Sequence, residues 1–183
     1  MEENKASMDC HLIYGKAKII GEQVCLSAFR WADPRTQLGI FRIEGAYGPG
    51  QDMDPETGSF IPAMCRKAAL WPETDFVIKT TGEEVRSYVY ISDVIRAIEM
   101  WDDSKESGIW NLSSGVGTSI KDIAQRIIRC SDKDIRFLSE MKEPAILYQC
   151  GTANRIRDVL GWKPNVDLNY GLKLTYKWVK DNV

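Results

Sequence analysis

Histidine is almost missing from this sequence: His11 is the single imidazole in 183 residues. Cysteine is sparse and unpaired in pattern. Cys10, Cys25, Cys65, Cys130 and Cys150 are an odd number with no C-x-x-C spacing. These shortages argue against a disulfide framework and against a zinc or other transition-metal centre. No sign of charge dominates, since 24 Lys and Arg stand against 26 Asp and Glu for a net −2. A basic nucleic-acid footprint is therefore not expected. No apolar run approaches the roughly 20 residues of a membrane span, and the polar opening M-E-E-N-K-A-S-M-D-C-H has no apolar signal core. The expectation is a cytoplasmic protein with no nucleic-acid and no membrane partner.

What is present is ordinary globular material, 44% hydrophobic and 27% charged. The length suits one domain with a real core, or one and a half small ones. Residues 1–12 read as an irregular lead-in, with His11 a polar helix-entry side chain. Apolar positions at helical spacing run from Ile13 to Phe29 and stop at the D-P-R-T turn of Asp33–Thr36. Leu38–Ile43 reads as a buried strand that empties into A-Y-G-P-G at Ala46–Gly50, an abrupt turn. After the polar loop Gln51–Ser59, a helical pattern resumes over Phe60–Trp71. Asp75–Lys79 and Val85–Ile91 alternate like strands, joined hairpin-fashion by T-T-G-E-E. Ser92 or Asp93 is expected to cap the following helix. Ile109–Leu112 and Ile135–Leu138 read as strands. A capped helix begins near Ser119, with Asp122 three positions on, and runs to Cys130. Two more helices are expected over Asn154–Leu160 and Tyr170–Val183. This alternation implies an α/β arrangement with crossover connections.

Chemistry is concentrated near the start. Tyr14 and Lys18 are spaced so that a helix puts both on one face, one turn apart, with Glu22 next along. There an ammonium can stabilise a phenolate, which suits general acid/base work in hydride transfer. Only thirteen residues precede Tyr14, so no dinucleotide-binding glycine loop is expected upstream of it in this chain. Gly115-Val116-Gly117 does not supply one, because Ile120 stands where G-x-G-x-x-G needs its third glycine.

A succession of motifs follows the tyrosine and lysine. There is a strand ending F-R, a Y-G-P-G turn, R-S-Y-V-Y-I-S-D-V at Arg86–Val94, and N-L-S-S-G at Asn111–Gly115. L-G-W-K-P at Leu160–Pro164 and G-L-x-x-T-x-x-W at Gly171–Trp178 complete it. The ordered set resembles the C-terminal half of the extended short-chain dehydrogenase/reductase family, the NAD(P)-dependent nucleotide-sugar epimerases and dehydratases. Within it, A-M-C-R-K-A at Ala63–Ala68 and G-L-K-L-T-Y-K-W are similar to the GDP-mannose 3,5-epimerase-like members.

The resemblance implies a fold, a cofactor and site residues. The fold would be the last strands of a Rossmann-like parallel sheet plus a small α/β substrate-binding domain. Residues 1–58 would belong to the first, and 59–183 mostly to the second, with a return to the sheet near 75–115. Tyr14 would be the catalytic base, and Lys18 its activator and a contact to the nicotinamide ribose, so both would bind NAD or NADP. Arg86 would hold the diphosphate of a nucleotide-sugar substrate, work suited to a guanidinium fork. Two departures accompany these matches. Gly45 stands where the family usually has Asn, and no arginine occurs near Pro144, where one commonly reaches the diphosphate. The rival expectation is a non-catalytic binding module. Its open sheet edge beside Leu38–Ile43 would be covered by a partner chain or a second copy.

Overall fold

The computed structural model describes residues 13–144 and 146–183; the lead-in, with Cys10 and His11, lies outside the described residues. The elements in chain order are α1 (Ile13–Phe29), β1 (Gly39–Ile43), β2 (Ala46–Tyr47), α2 (Phe60–Ala69), β3 (Val77–Ile78), β4 (Val85–Arg86), β5 (Val89–Tyr90) and α3 (Ile91–Ser104). They continue as β6 (Gly108–Leu112), β7 (Thr118–Ser119), α4 (Ile120–Ser131), β8 (Leu138–Ser139), β9 (Tyr148–Gln149), α5 (Asn154–Leu160) and α6 (Leu168–Lys180). This is a mixed α/β fold with short, mostly parallel sheets, as expected.

The longest ladder pairs β1 with β6 in parallel, from Gly39 opposite Gly108 to Ile43 opposite Leu112. Around α3 the strands β2 and β5 also run parallel. The expected hairpin across T-T-G-E-E does not form. Val77–Ile78 pairs with Leu138–Ser139, while Val85–Arg86 lies between β7 and β9. The connecting turn is held elsewhere: Thr81 N–H donates to the Lys142 carbonyl and Lys121 N–H to that of Gly82. With the Thr81 donor drawn to the 140s loop and the Gly82 acceptor to α4, each arm finds a separate partner.

Local chemistry explains the helix ends. Ser119 Oγ accepts from Asp122 N–H at 3.1 Å at the start of α4, and Asp167 accepts from Asn169 and Tyr170 N–H at the start of α6. Gly161, at φ 69°, closes α5 in the left-handed region. Among the described residues no helix is long and apolar enough to cross a membrane.

Two apolar clusters carry the packing. The larger gathers α2, α4 and α6 around Ile61, Phe76, Ile123, Ile127 and Leu172. The second packs α3 and α5 against β6 through Ala97, Trp110, Ile156 and Trp162. Each fully buried aliphatic or aromatic chain contributes about 1.5–3 kcal/mol. Asp93 does different work from the expected cap. Tyr90 occupies the N-cap of α3, and the Asp93 carboxylate, 1% exposed, accepts from the N–H groups of Asn165 and Val166. Arg96 adds a 2.9 Å ion pair, and Trp162 Nε1–H donates to the Asp93 carbonyl at 3.0 Å. The L-G-W-K-P segment is thus tied to the first turn of α3.

Candidate functional site

Helix α1 presents Tyr14 and Lys18 together, with the Lys18 ammonium 5.2 Å from the centre of the Tyr14 ring. Tyr14 is 75% exposed, and no residue of α1 is buried. One turn further, Glu22 forms a fork with Arg42 of β1, Oε1 to Nη2 at 2.6 Å and Oε2 to Nε at 2.9 Å. The helix face that carries the phenol and ammonium is therefore anchored to the β1–β6 ladder through its third polar side chain.

Arg86 lies elsewhere, on the wall of a cavity of about 520 Å³ between α2, the β3–β4 segment and β9. Tyr14 and Lys18 do not line this cavity. Two guanidinium N–H groups of Arg86 donate to the carbonyls of Val85 and Ile146, both at 2.8 Å. Those bonds steady the fork and leave further N–H groups for an anion. Parallel pairing puts Gln149 directly beside Arg86, and Gln149 lines the same cavity. The neighbouring position across the ladder is thus neutral.

Sequence patterns did not single out the remaining polar lining. Lys67 is only 8% exposed, and its ammonium donates to the Val77 carbonyl at 2.8 Å. Burial, reinforced by the nearby Lys79 charge, holds that ammonium below the usual lysine range. Glu56 pairs with Lys79 at 2.8 Å, and Glu44 accepts from the Gly151 N–H at 2.8 Å. Glu84 is 6% exposed and accepts from Thr80 Oγ at 2.5 Å. Phe60, Ala63, Met64, Val77 and Ile78 supply apolar wall. The arrangement suits an elongated ligand with an apolar ring at one end and an anion at Arg86.

Gly45 borders the cavity at φ 49°, and a Cβ there would sit 2.3 Å from the Ser87 carbonyl oxygen. Close backbone approach, rather than mere loss of a polar group, accounts for a glycine here. Tyr47 is not a second candidate base. Burial, then the charges of neighbouring Tyr90, Asp167 and Asp93, pushes its phenol far above the ordinary range. Ser87 Oγ lies 2.9 Å from Ser113 Oγ and 3.0 Å from Ser114 Oγ, which ties the start of the Ser113-Ser114-Gly115 turn to the segment between β4 and β5.

Comparison with known proteins shows the family and the fold. The sequence profile described as "NAD dependent epimerase/dehydratase family" matches residues 2–113. A probable GDP-L-fucose synthase of Oryza sativa subsp. japonica is 28% identical over 93% of this chain and 52% of its own. The GDP-mannose 3,5-epimerase of Arabidopsis thaliana is 25% identical over 93% of this chain and 44% of its own. A crystal structure of UDP-glucose 4-epimerase from Thermotoga maritima with UDP-glucose superposes with a TM-score of 0.82. It is 25% identical, covering 92% of this chain and 53% of that one. The chain spans about half the length of the curated relatives it matches.

Proposed function

This chain belongs to the NAD dependent epimerase/dehydratase family, and we propose that it supplies the proton-handling and substrate-holding half of a nucleotide-sugar epimerase or dehydratase. The observation that carries the reading is the cavity of about 520 Å³ whose wall holds Arg86 beside an apolar pocket. Arg86 would take the diphosphate, and the apolar wall between α2 and β3 would take the base.

The phenol and ammonium on α1 fit the ribose and nicotinamide side of NAD or NADP, one donor and one cation a helical turn apart on an open face. When bound, that cofactor supplies hydride transfer. The residues of this chain would do the proton work. Tyr14 Oη would take the proton from a sugar hydroxyl, and Lys18 would favour the resulting phenolate electrostatically while touching the cofactor ribose. Residues 1–58 would belong to the sheet-forming portion and 59–183 mostly to the substrate portion.

The test is calorimetry of the 183-residue chain with UDP-glucose and GDP-mannose, repeated with Arg86→Met. Binding that falls at least tenfold in the variant supports the site. Equal affinity in both proteins would refute it.

A second reading is favoured by one observation: α1 buries none of its residues and, among the described residues, β1 pairs only with β6. Here the chain would be a binding module whose open edge is covered by a second copy or a partner polypeptide. The readings separate on titration with UDP-glucose and GDP-mannose, since the first gives this chain the substrate-holding half and not a whole cofactor site. Binding that depends on Arg86 supports the first, and its absence together with a stable dimer in light scattering supports the second.

A further inference from the structure

The cavity sets a cation and a carboxylate apart along one strand. Arg86 and Gln149 are ladder partners, and the Arg86 guanidinium donates to the Ile146 carbonyl at 2.8 Å. In the other direction along the strand, Glu44 Oε2 accepts from the Gly151 N–H at 2.8 Å. The stretch between these anchor points is extended, because the Leu147 and Gln149 carbonyls both accept from β4 and its continuation. Residues 147–150 separate the two anchors by roughly 7 to 14 Å. Allowing about 3 Å for a hydrogen bond at each end, the ligand groups that meet them lie up to about 8 Å apart. That is the reach of one hexopyranose ring from a phosphate.

Glu44 is open to a ligand. It lines the cavity, and its Oε1 meets solvent with no hydrogen-bond partner among the described residues. Gly151 makes the seat, since a Cβ there would run into Oε1. The other cavity carboxylates are engaged or buried, Glu56 paired with Lys79 and Glu84 closed in against Thr80. Position tells which end of the ligand arrives at Glu44. The apolar wall belongs to α2 and β3. Glu44 directly follows β1, two residues after Arg42, whose ion pair with Glu22 restrains the helix of Tyr14 and Lys18. The part of the substrate that must face Tyr14 is the sugar. Ring hydroxyls are donors that a carboxylate accepts, whereas a second carboxylate is repelled.

We infer that Glu44 is the sugar-reading residue of this cavity, accepting from hydroxyls of a neutral hexose and excluding hexuronates. This rests on the substrate reading above, with Arg86 at the diphosphate.

Calorimetry of the 183-residue chain compares UDP-glucose with UDP-glucuronate and GDP-mannose with GDP-mannuronate, with UDP and GDP as references. Whichever base is accepted, the neutral hexose should bind roughly tenfold more tightly than its uronate, the effect of a hydrogen bond to a charged acceptor. Glu44→Gln, nearly isosteric and still able to accept from Gly151, should remove most of that preference and leave the affinities for UDP and GDP in place. Equal binding of hexose and uronate to the wild-type chain overturns the assignment while leaving the substrate reading intact. A Glu44→Gln chain that keeps the full preference does the same. Gains for UDP and GDP as large as those for the uronates also overturn it, because Glu44 would then face the diphosphate or the base. If none of these ligands binds, the substrate reading fails and this assignment fails with it.

Discussion

Glu22 and Arg42 meet as a two-bonded ion pair, 2.6 and 2.9 Å, that joins α1 to β1. Both side chains are mostly shielded, at 15% and 24% exposure. Tyr14, Lys18 and Glu22 follow one another at four-residue steps, so the helix presents its chemistry and its anchor on a single face. Because α1 buries no residue, this pair is a principal restraint on where the phenol stands.

Glu22→Gln should consequently loosen α1 without unfolding the rest. A partly shielded, charge-assisted fork is worth about 1–3 kcal/mol. Amide hydrogen exchange should accelerate across Ile13–Phe29 and remain unchanged in α4 and α6. Uniform acceleration in all three helices would show that the pair has no local role.

Asp93 should be among the least replaceable residues for stability. Its buried carboxylate accepts two backbone N–H groups and pairs with Arg96, joining residues distant in sequence. Asp93→Ala would strand those donors, at a cost of about 3–5 kcal/mol. Urea unfolding should shift accordingly, and a loss under about 1 kcal/mol would contradict the network.

Gly45→Asn restores the residue usual in the family and should nevertheless weaken the protein. Asparagine tolerates a positive φ, but its Cβ would meet the Ser87 carbonyl at 2.3 Å and the Tyr88 ring at 2.8 Å. Overpacking of this kind costs about 1–3 kcal/mol. Thermal melts of Gly45→Asn and Gly45→Ala should both drop. A stabilised Asn variant with improved nucleotide binding would reverse this account of the turn.

How much of this was legible beforehand depended on whether the signals were local. The span of α1, the Ser119 cap and the Gly161 stop all rest on neighbours within a few residues, and the sequence pattern places them well. Strands of two residues are too short to show a period, so β2 and β9 went unseen and β3 was paired with the wrong partner. Lys67 looks like an ordinary helix cation and Glu84 like part of a polar turn. Their burial exists only once Val77, Thr80 and α4 close around them. Arg86 could be named from its motif, but its neighbour Gln149 could not, since a parallel register across distant segments brings them together.

Tyr14→Phe removes one transferable proton and almost no volume. In whatever assembly turns over a sugar nucleotide, kcat should fall by about 10²–10⁴, the usual range for losing a general acid or base. KM should change little, because Tyr14 stands away from the Arg86 cavity. Steady-state kinetics would show this directly, and an unaltered kcat would remove Tyr14 from the reaction.

Lys67 should give stability a distinctive dependence on alkaline pH. Burial holds its ammonium below the normal lysine range in the folded chain, whereas in the unfolded chain it titrates near about 10.4. Between those values the unfolded state binds more protons, so unfolding becomes harder as pH rises through the window. Below the folded value the desolvation penalty is fully present. Lys67→Met removes the titration but also leaves the Val77 carbonyl without its donor, so the informative quantity is the slope. As pH rises toward the unfolded lysine value of about 10.4, the wild-type unfolding free energy should climb relative to that of Lys67→Met. A difference that stays level, or moves the other way, would show that the buried ammonium carries no such penalty.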